Sequence, residues 1–256
     1  MGRGALHIVN HNLIVYGRHW RGSITGLVLM PICFLAAMGF GLGSLVNRHG
    51  GGIGGVPYLV YIAPGLLAAN AMQAGSLLST YPIMGKVRWE HTYDAVLATP
   101  ASVADVVVGE LAWIALRALQ GAAVFAAAMV LFRAVRSPWL LLAIPVAMLT
   151  CLAFAAPIMA FSAAQRTDAP FALLQRFVIL PLFLFAGAFF PLSQLPGVLQ
   201  VVAWVLPLWH GVALARASAL GTLTLGPSLL HVGVLAAYTL AGAIAALVVM
   251  RRKLTP

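Results

Sequence analysis

The chain has 256 residues, 62% of them hydrophobic and only 8% charged, with 15 Lys and Arg against 5 Asp and Glu. Soluble domains carry roughly a quarter charged residues, so this composition cannot keep a surface wet and excludes an ordinary soluble protein. The net charge of +10 does not signal nucleic acid either, because a phosphate-binding face needs clustered basic residues and here they fall in short gaps between apolar runs.

Residues 5–22 come first. Leu6, Val9, Leu13, Tyr16 and Trp20 recur at three- and four-residue steps, while His7, His11, Arg18 and Arg21 share another face. The pattern predicts an amphipathic helix lying in the membrane interface. The charges here and the long apolar run that follows read as a retained anchor, not a cleavable signal. His7 and His11 stand four apart but lack a third ligand, so no metal site is expected.

A membrane-crossing helix needs about 20 apolar residues. Six segments meet this: 24–46, 58–84, 103–132, 138–164, 171–190 and 227–250. The expected fold is therefore an all-α integral membrane protein, one domain over 1–256, with both termini on the same side. With the termini in the cytoplasm, Arg3, Arg18, Arg21, Lys86, Arg88, Arg166, Arg251, Arg252 and Lys253 lie inside. Arg48, Arg133, Arg136 and Arg216 lie outside, and Arg117 and Arg176 fall within spans. That excess favours cytoplasmic termini.

Within the first span, Gly39 and Gly43 have the spacing that lets another helix approach closely, or they are simply glycines tolerated in a membrane helix. Cys33 and Cys151 lie in apolar runs and read as small buried hydrophobes. Between the second and third spans, Trp89, Tyr93, Val96 and Leu97 repeat at helical spacing beside Lys86, Arg88, Glu90, His91 and Asp94. A short amphipathic helix is expected over 86–99, ended by Thr99-Pro100. It either rests on the membrane or docks into a partner's groove. Ser102 and Asp105 have capping-box spacing for the third span.

Glu110 and Arg117, seven residues apart, share a face of that span. Ionisable groups there must face protein or a water-filled path. They are candidates for a transport lining, or structural charges neutralised by a neighbouring helix. Residues 191–226 are too apolar for an exposed loop. Pro191, Pro196 and Pro207 break them, which suits re-entrant helices at 191–209 with Trp204 and Trp209 at the interface, either a gate at the outer end of a pore or a static plug.

Catalytic signatures are missing from the sequence. Neither lysine is followed by Ser or Thr, as a phosphate-binding P-loop requires. His49, His91, His210 and His231 are scattered without carboxylates at motif spacing. The rival readings are an intramembrane enzyme and a passive channel or scaffold subunit.

The stretch 185–196, Phe-Ala-Gly-Ala-Phe-Phe-Pro-Leu-Ser-Gln-Leu-Pro, resembles the signature of ABC-2 type permeases. It continues through Leu206-Pro207-Leu208-Trp209-His210 to Arg216 and Gly221. Gly109-Glu110-Leu111-Ala112-Trp113 and the closing Met250-Arg251-Arg252-Lys253-Leu254 resemble the nodulation lipo-oligosaccharide export permeases, which are related to the daunorubicin-resistance permeases. The resemblance implies a dimer with a second permease, a copy or a relative, docked on two ATP-binding subunits in a bacterial inner membrane. ATP and magnesium would sit on those subunits and no cofactor on this chain. It further implies that 86–99 is the coupling helix, with Arg88, Trp89, Glu90, Tyr93 and Asp94 at the docking interface. Phe189, Phe190, Trp204 and Trp209 become gate candidates beside Glu110 and Arg117. The substrate class is amphipathic: a lipid-linked or lipid-modified saccharide, or a hydrophobic drug.

Overall fold

A computed structural model describes residues 2–50, 52–53, 55–194 and 196–254, without the side chains of Arg3, 19–26, His49, Gly50 and Leu199. The expected roles of Trp20 and Arg21 therefore lie outside the described residues. Among those described, the chain is helical throughout, apart from one isolated bridge between Ile53 and Val56.

Helix α1 spans Arg3–Ala36 and passes through a π-helical stretch, Ala37–Leu42, into α2, Gly43–Gly50. The expected interface helix and first span are thus one unbroken helix. No proline lies between residues 5 and 30 to remove a ladder hydrogen bond. Gly39 packs on the Leu59 side chain, and Gly43 faces back onto the Met38 carbonyl with the Tyr58 ring at ordinary contact distance, so the closer approach of a neighbouring helix is at Gly39.

Helix α3, Tyr58–Ser79, ends before the expected residue 84. Pro82, in the first turn of α4 (Tyr81–Arg88), has no N–H and disfavours a continuous ladder, so the chain breaks at Thr80. The expected single helix over 86–99 is also divided. α4 ends at Arg88, and α5 begins at Thr92 and runs to Leu97, because His91 takes a left-handed φ of 50°. Helix α6, Val103–Leu131, starts on the expected capping box. The Asp105 N–H donates to Ser102 Oγ (3.2 Å), and the Ser102 N–H donates to Asp105 Oδ2 (3.1 Å).

Helix α7 covers Leu140–Ala164. Helix α8, Ala169–Leu174, a π-helical stretch Gln175–Ile179 and α9, Leu180–Phe185, form one shorter apolar rod. It stops five residues before the expected end, where the chain enters bends around Gly187 at φ 78°. Helices α10, Gly197–Val205, and α11, Pro207–Leu220, meet at a break set by Pro207, and α12 spans Leu225–Leu254.

Among the described residues, four stretches are long and apolar enough to cross a membrane: Leu27–Arg48, Val103–Leu131, Leu140–Ala164 and Leu225–Leu254. The second and fifth expected spans fall short, for different reasons. α3 carries Asn70, Gln73, Ser76 and Ser79 and is enclosed by protein on most sides, and Ala169–Phe185 is brief. α7 is the hub, packed against α3, α6, α11 and α12, while α1 lies along α6. Gly242 of α12 abuts the backbone of α7 at Ala156 and Pro157, where a larger residue would hold the helices apart. α1 and α6 run parallel, from Ile8 beside Gly109 to Leu27 beside Gly121. Alternation of the long helices gives the bundle two ends. The Lys86 end holds α4, α5, the start of α6 and the close of α7 and α12. The Arg136 end holds the α6–α7 turn, the close of α11 and the start of α12.

Candidate functional site

The Lys86 end contains a buried polar cluster. Lys86 Nζ, from the last turn of α4, donates to Glu110 Oε1 of α6 at 2.6 Å and to Asn12 Oδ1 of α1 at 2.8 Å. Asn12 Nδ2 donates to the other carboxylate oxygen, Oε2, at 3.3 Å. Asn12 and Glu110 are buried, so both oxygens of a carboxylate removed from water are satisfied by two other elements. Local sequence makes this possible. Gly109 leaves room for Ile8 and the Ala5 carbonyl to lie directly against α6, which brings Asn12 one turn further along onto Glu110.

Tyr93 of α5 closes the cluster. It is 1% exposed, and its hydroxyl has no hydrogen-bond partner among the described residues. Burial, followed by the facing Glu110 and Glu90 carboxylates, pushes this hydroxyl well above its ordinary pKa. Tyr93 is thus turned into the bundle and holds α5 to it. The rest of the segment divides cleanly. Trp89 is 61% exposed, and Glu90 and Asp94 are exposed, Asp94 pairing with His91 Nδ1 at 2.8 Å and Glu90 accepting from Thr92 Oγ1 at 3.1 Å. Arg88 is half-buried, with its Nε unpartnered. An apolar indole beside two carboxylates thus projects from a base clamped by Lys86 and Tyr93.

Glu110 and Arg117 share a face of α6 but take different partners. Arg117 Nη1 donates to Gln120 Oε1 at 2.8 Å, and its guanidinium lies 4.1 Å from the Tyr16 ring centroid. It lines a cavity of about 200 Å³ with Leu67, Asn70 and Ala71 of α3. On α1 the two recipients, Asn12 and Tyr16, are four residues apart, so one face of α1 receives both charges.

Toward the other end, Trp204 and Trp209 stack with ring centroids 4.6 Å apart across the α10–α11 break. His210 Nε2 lies 2.9 Å from the Trp204 carbonyl and His210 Nδ1 lies 2.7 Å from His231 Nδ1 of α12. A carbonyl only accepts, so Nε2 carries the proton. The bare Nδ1 then receives the Nδ1–H of His231, which fixes both tautomers. Tyr238 Oη donates to the Val205 carbonyl at 3.1 Å. Phe189 and Phe190 do not join this group. Both are half-buried, and Phe189 packs on Phe183 at 5.2 Å.

Sequence reasoning missed four contributors. Lys86 counted as an anchoring charge and a member of the 86–99 segment but not as a partner of Glu110, Asn12 was passed over, and the His210–His231 pairing had no motif spacing to announce it. Arg216, counted as an exterior charge, is largely enclosed. It donates through Nε to the Tyr61 carbonyl (3.2 Å) and through Nη2 to those of Gly187 (2.9 Å) and Ala188 (3.3 Å), with Tyr61's ring 3.9 Å below. Its visible signals were its place in the stretch resembling ABC-2 type permeases and its position as a lone arginine inside an apolar helical run. Cys33 also departs from expectation: it is exposed, while Cys151 is buried.

This architecture has relatives. The ABC-2 type transporter family model matches residues 6–220. The chain is 34% identical over 248 residues to nodulation protein J of Rhizobium meliloti (strain 1021), covering 96% of this chain and 92% of that one. It is 34% identical over 257 aligned positions to nodulation protein J of Rhizobium leguminosarum bv. viciae, with 99% and 96% covered. The counterpart from Rhizobium leguminosarum bv. trifolii is 35% identical over 246 residues, with 95% and 91% covered. Matched by the family model along most of its length and by these relatives nearly end to end, the chain belongs to the ABC-2 type transporter membrane family.

Proposed function

We propose that this chain is the permease half of an ATP-driven exporter that moves an amphipathic substrate out of the cytoplasm or inner leaflet. The substrate class is a lipid-linked or lipid-modified saccharide, or a hydrophobic drug. The chain crosses a bacterial inner membrane six times, with α3 and Ala169–Phe185 as the second and fifth spans and both termini in the cytoplasm. α10 and the first turn of α11 form the re-entrant elements at the exit, with Trp204, Trp209, Phe189 and Phe190 as its gate.

Energy enters through the 86–99 segment. Two ATP-binding subunits close on ATP and press on Trp89, Glu90, Asp94 and Arg88. The supporting observation is the contrast within that segment between an exposed, acidic, indole-bearing surface and a base tied to α1 and α6 by Lys86, Asn12 and Glu110. A load on Trp89 is passed to two membrane helices at once, because a buried charge pair resists separation. Glu110 and Arg117 act in this scheme as structural couplers of α6 to α1. The second permease packs against the exposed apolar surfaces of the first and fifth spans, exemplified by Phe40 at 78% and Phe177 at 69% exposed.

Co-purification with candidate ATP-binding subunits, followed by ATPase assays across lipids and drugs, tests the proposal. A stable complex with substrate-stimulated hydrolysis is expected. Transport by the isolated chain without nucleotide would sink it.

A further inference from the structure

At the Arg136 end, α7, α11 and α12 enclose an apolar groove of about 480 Å³. It is lined by Leu142, Val146 and Leu149 of α7, by Leu214 of α11, and by Leu225 and Val232 of α12. From Leu142 to Leu149 it extends about 10 Å along α7. Its polar atoms are few and belong to Ser218, Thr224 and Ser228, and the Ser218 hydroxyl is already used on the Leu214 carbonyl.

The α6–α7 turn sits at the mouth of this groove. The Arg136 N–H donates to the Ala219 carbonyl at 3.1 Å, one residue from the lining Ser218, and Ser137 lies against Gly221. Arg133, at the turn's left-handed residue (φ 54°), and Arg136 are both exposed, and Trp139 beside them is 58% exposed. Neither arginine has an ion pair among the described residues.

Charge bookkeeping along the whole chain explains why. The sequence contains five acids: Glu90, Asp94, Asp105, Glu110 and Asp168. Every one lies at the Lys86 end, in α4–α5, the start of α6 or the turn after α7. Among the described residues no carboxylate pairs with Arg133 or Arg136, and Arg216 of α11 is held by backbone carbonyls. Guanidinium groups at a membrane boundary take phosphate bidentately when no carboxylate competes. An apolar slot opening beside two arginines and an interfacial tryptophan has the polarity of one molecule class, a phosphate head joined to a hydrocarbon tail.

We infer that this groove is a phospholipid site, with one acyl chain between α7, α11 and α12 and the phosphate on Arg136 and Arg133. The site is separate from the coupling cluster and from the Trp204–His210 group. It ties the start of α12 and the close of α11 together through lipid.

Native mass spectrometry of the full chain in detergent, titrated with phosphatidylglycerol, reads the site directly. The wild type should retain the lipid, and Arg133→Gln/Arg136→Gln should weaken retention by about tenfold or more, the loss of a bidentate phosphate contact. Ser228→Trp, which fills the groove from its rim without touching either arginine, should weaken it similarly. Glycerol 3-phosphate in excess should not displace the lipid, since the tail contributes most of the burial. Equal retention by the wild type and both variants would overturn the inference, as would displacement by glycerol 3-phosphate. A photocrosslinker at Leu225 should capture lipid, and capture of a second copy of the chain would likewise overturn it.

Discussion

Lys86 and Glu110 meet at 2.6 Å across the boundary between a short surface helix and a membrane helix, and Asn12 completes the contact from a third. Removing one charge from such a pair leaves the other buried and uncompensated, at a cost of about 3–5 kcal/mol. Lys86→Met should therefore lower the thermal midpoint in detergent strongly. Lys86→Met/Glu110→Met should recover most of the loss, because no lone charge remains. A double variant as unstable as the sum of the singles would contradict the pairing.

Tyr93 gives the opposite sign. Its hydroxyl is buried without a partner among the described residues, and an unsatisfied buried polar group costs about 1–3 kcal/mol. Tyr93→Phe should leave thermal stability unchanged or raise it, whereas Tyr93→Ala should lower it by opening the space over Glu110. A fall in the midpoint for Tyr93→Phe would show that the hydroxyl is bonded.

His91 holds the break between α4 and α5 at φ 50°, a region costing a non-glycine residue roughly 1 kcal/mol or more. His91→Gly should relieve this and stabilise the segment, and His91→Val should be worse than wild type. Hydrogen exchange of the 88–97 amides distinguishes the two, with slower exchange expected for glycine.

Arg216 carries three backbone carbonyls from α3 and the bend after α9. Arg216→Met should destabilise by at least about 2 kcal/mol, since charged hydrogen bonds contribute roughly that each. Arg216→Lys should not restore it, because an ammonium lacks the planar fork that spans both sites. Full rescue by lysine in a thermal melt would mean that charge alone matters there.

The apolar runs made the helical, membrane-embedded architecture legible, since hydropathy over 20 residues reports burial in lipid directly. The Ser102–Asp105 cap and the helix break at Pro207 were equally plain, because both are local rules. What escaped was set by tertiary contact. The division of the 86–99 helix depends on His91 adopting a left-handed conformation that no periodicity encodes. Tyr93 sits at helical spacing with Trp89, yet one faces Glu110 and the other solvent. Glu110 could be flagged as an intramembrane charge, but Lys86, 24 residues away, could be matched to it only through the turn at Thr80. Leu6 and Leu13, read as part of the membrane-facing stripe of the N-terminal helix, are exposed, but the protein-packed face beside them carried no signal of its own. The face packed on α6 is that of Ala5, Ile8 and Asn12, about a third of a turn away.

The central claim is that force reaches the membrane helices through a small cytoplasmic knob built on Trp89, Glu90 and Asp94. It is tested most directly by reconstituting the complete transporter with Glu90→Lys/Asp94→Lys and measuring substrate-stimulated ATP hydrolysis alongside membrane insertion. Insertion should be unchanged while stimulation falls severalfold. Full stimulation in the charge-reversed complex, or labelling of residue 89 from the exterior of sealed cells, would contradict the account.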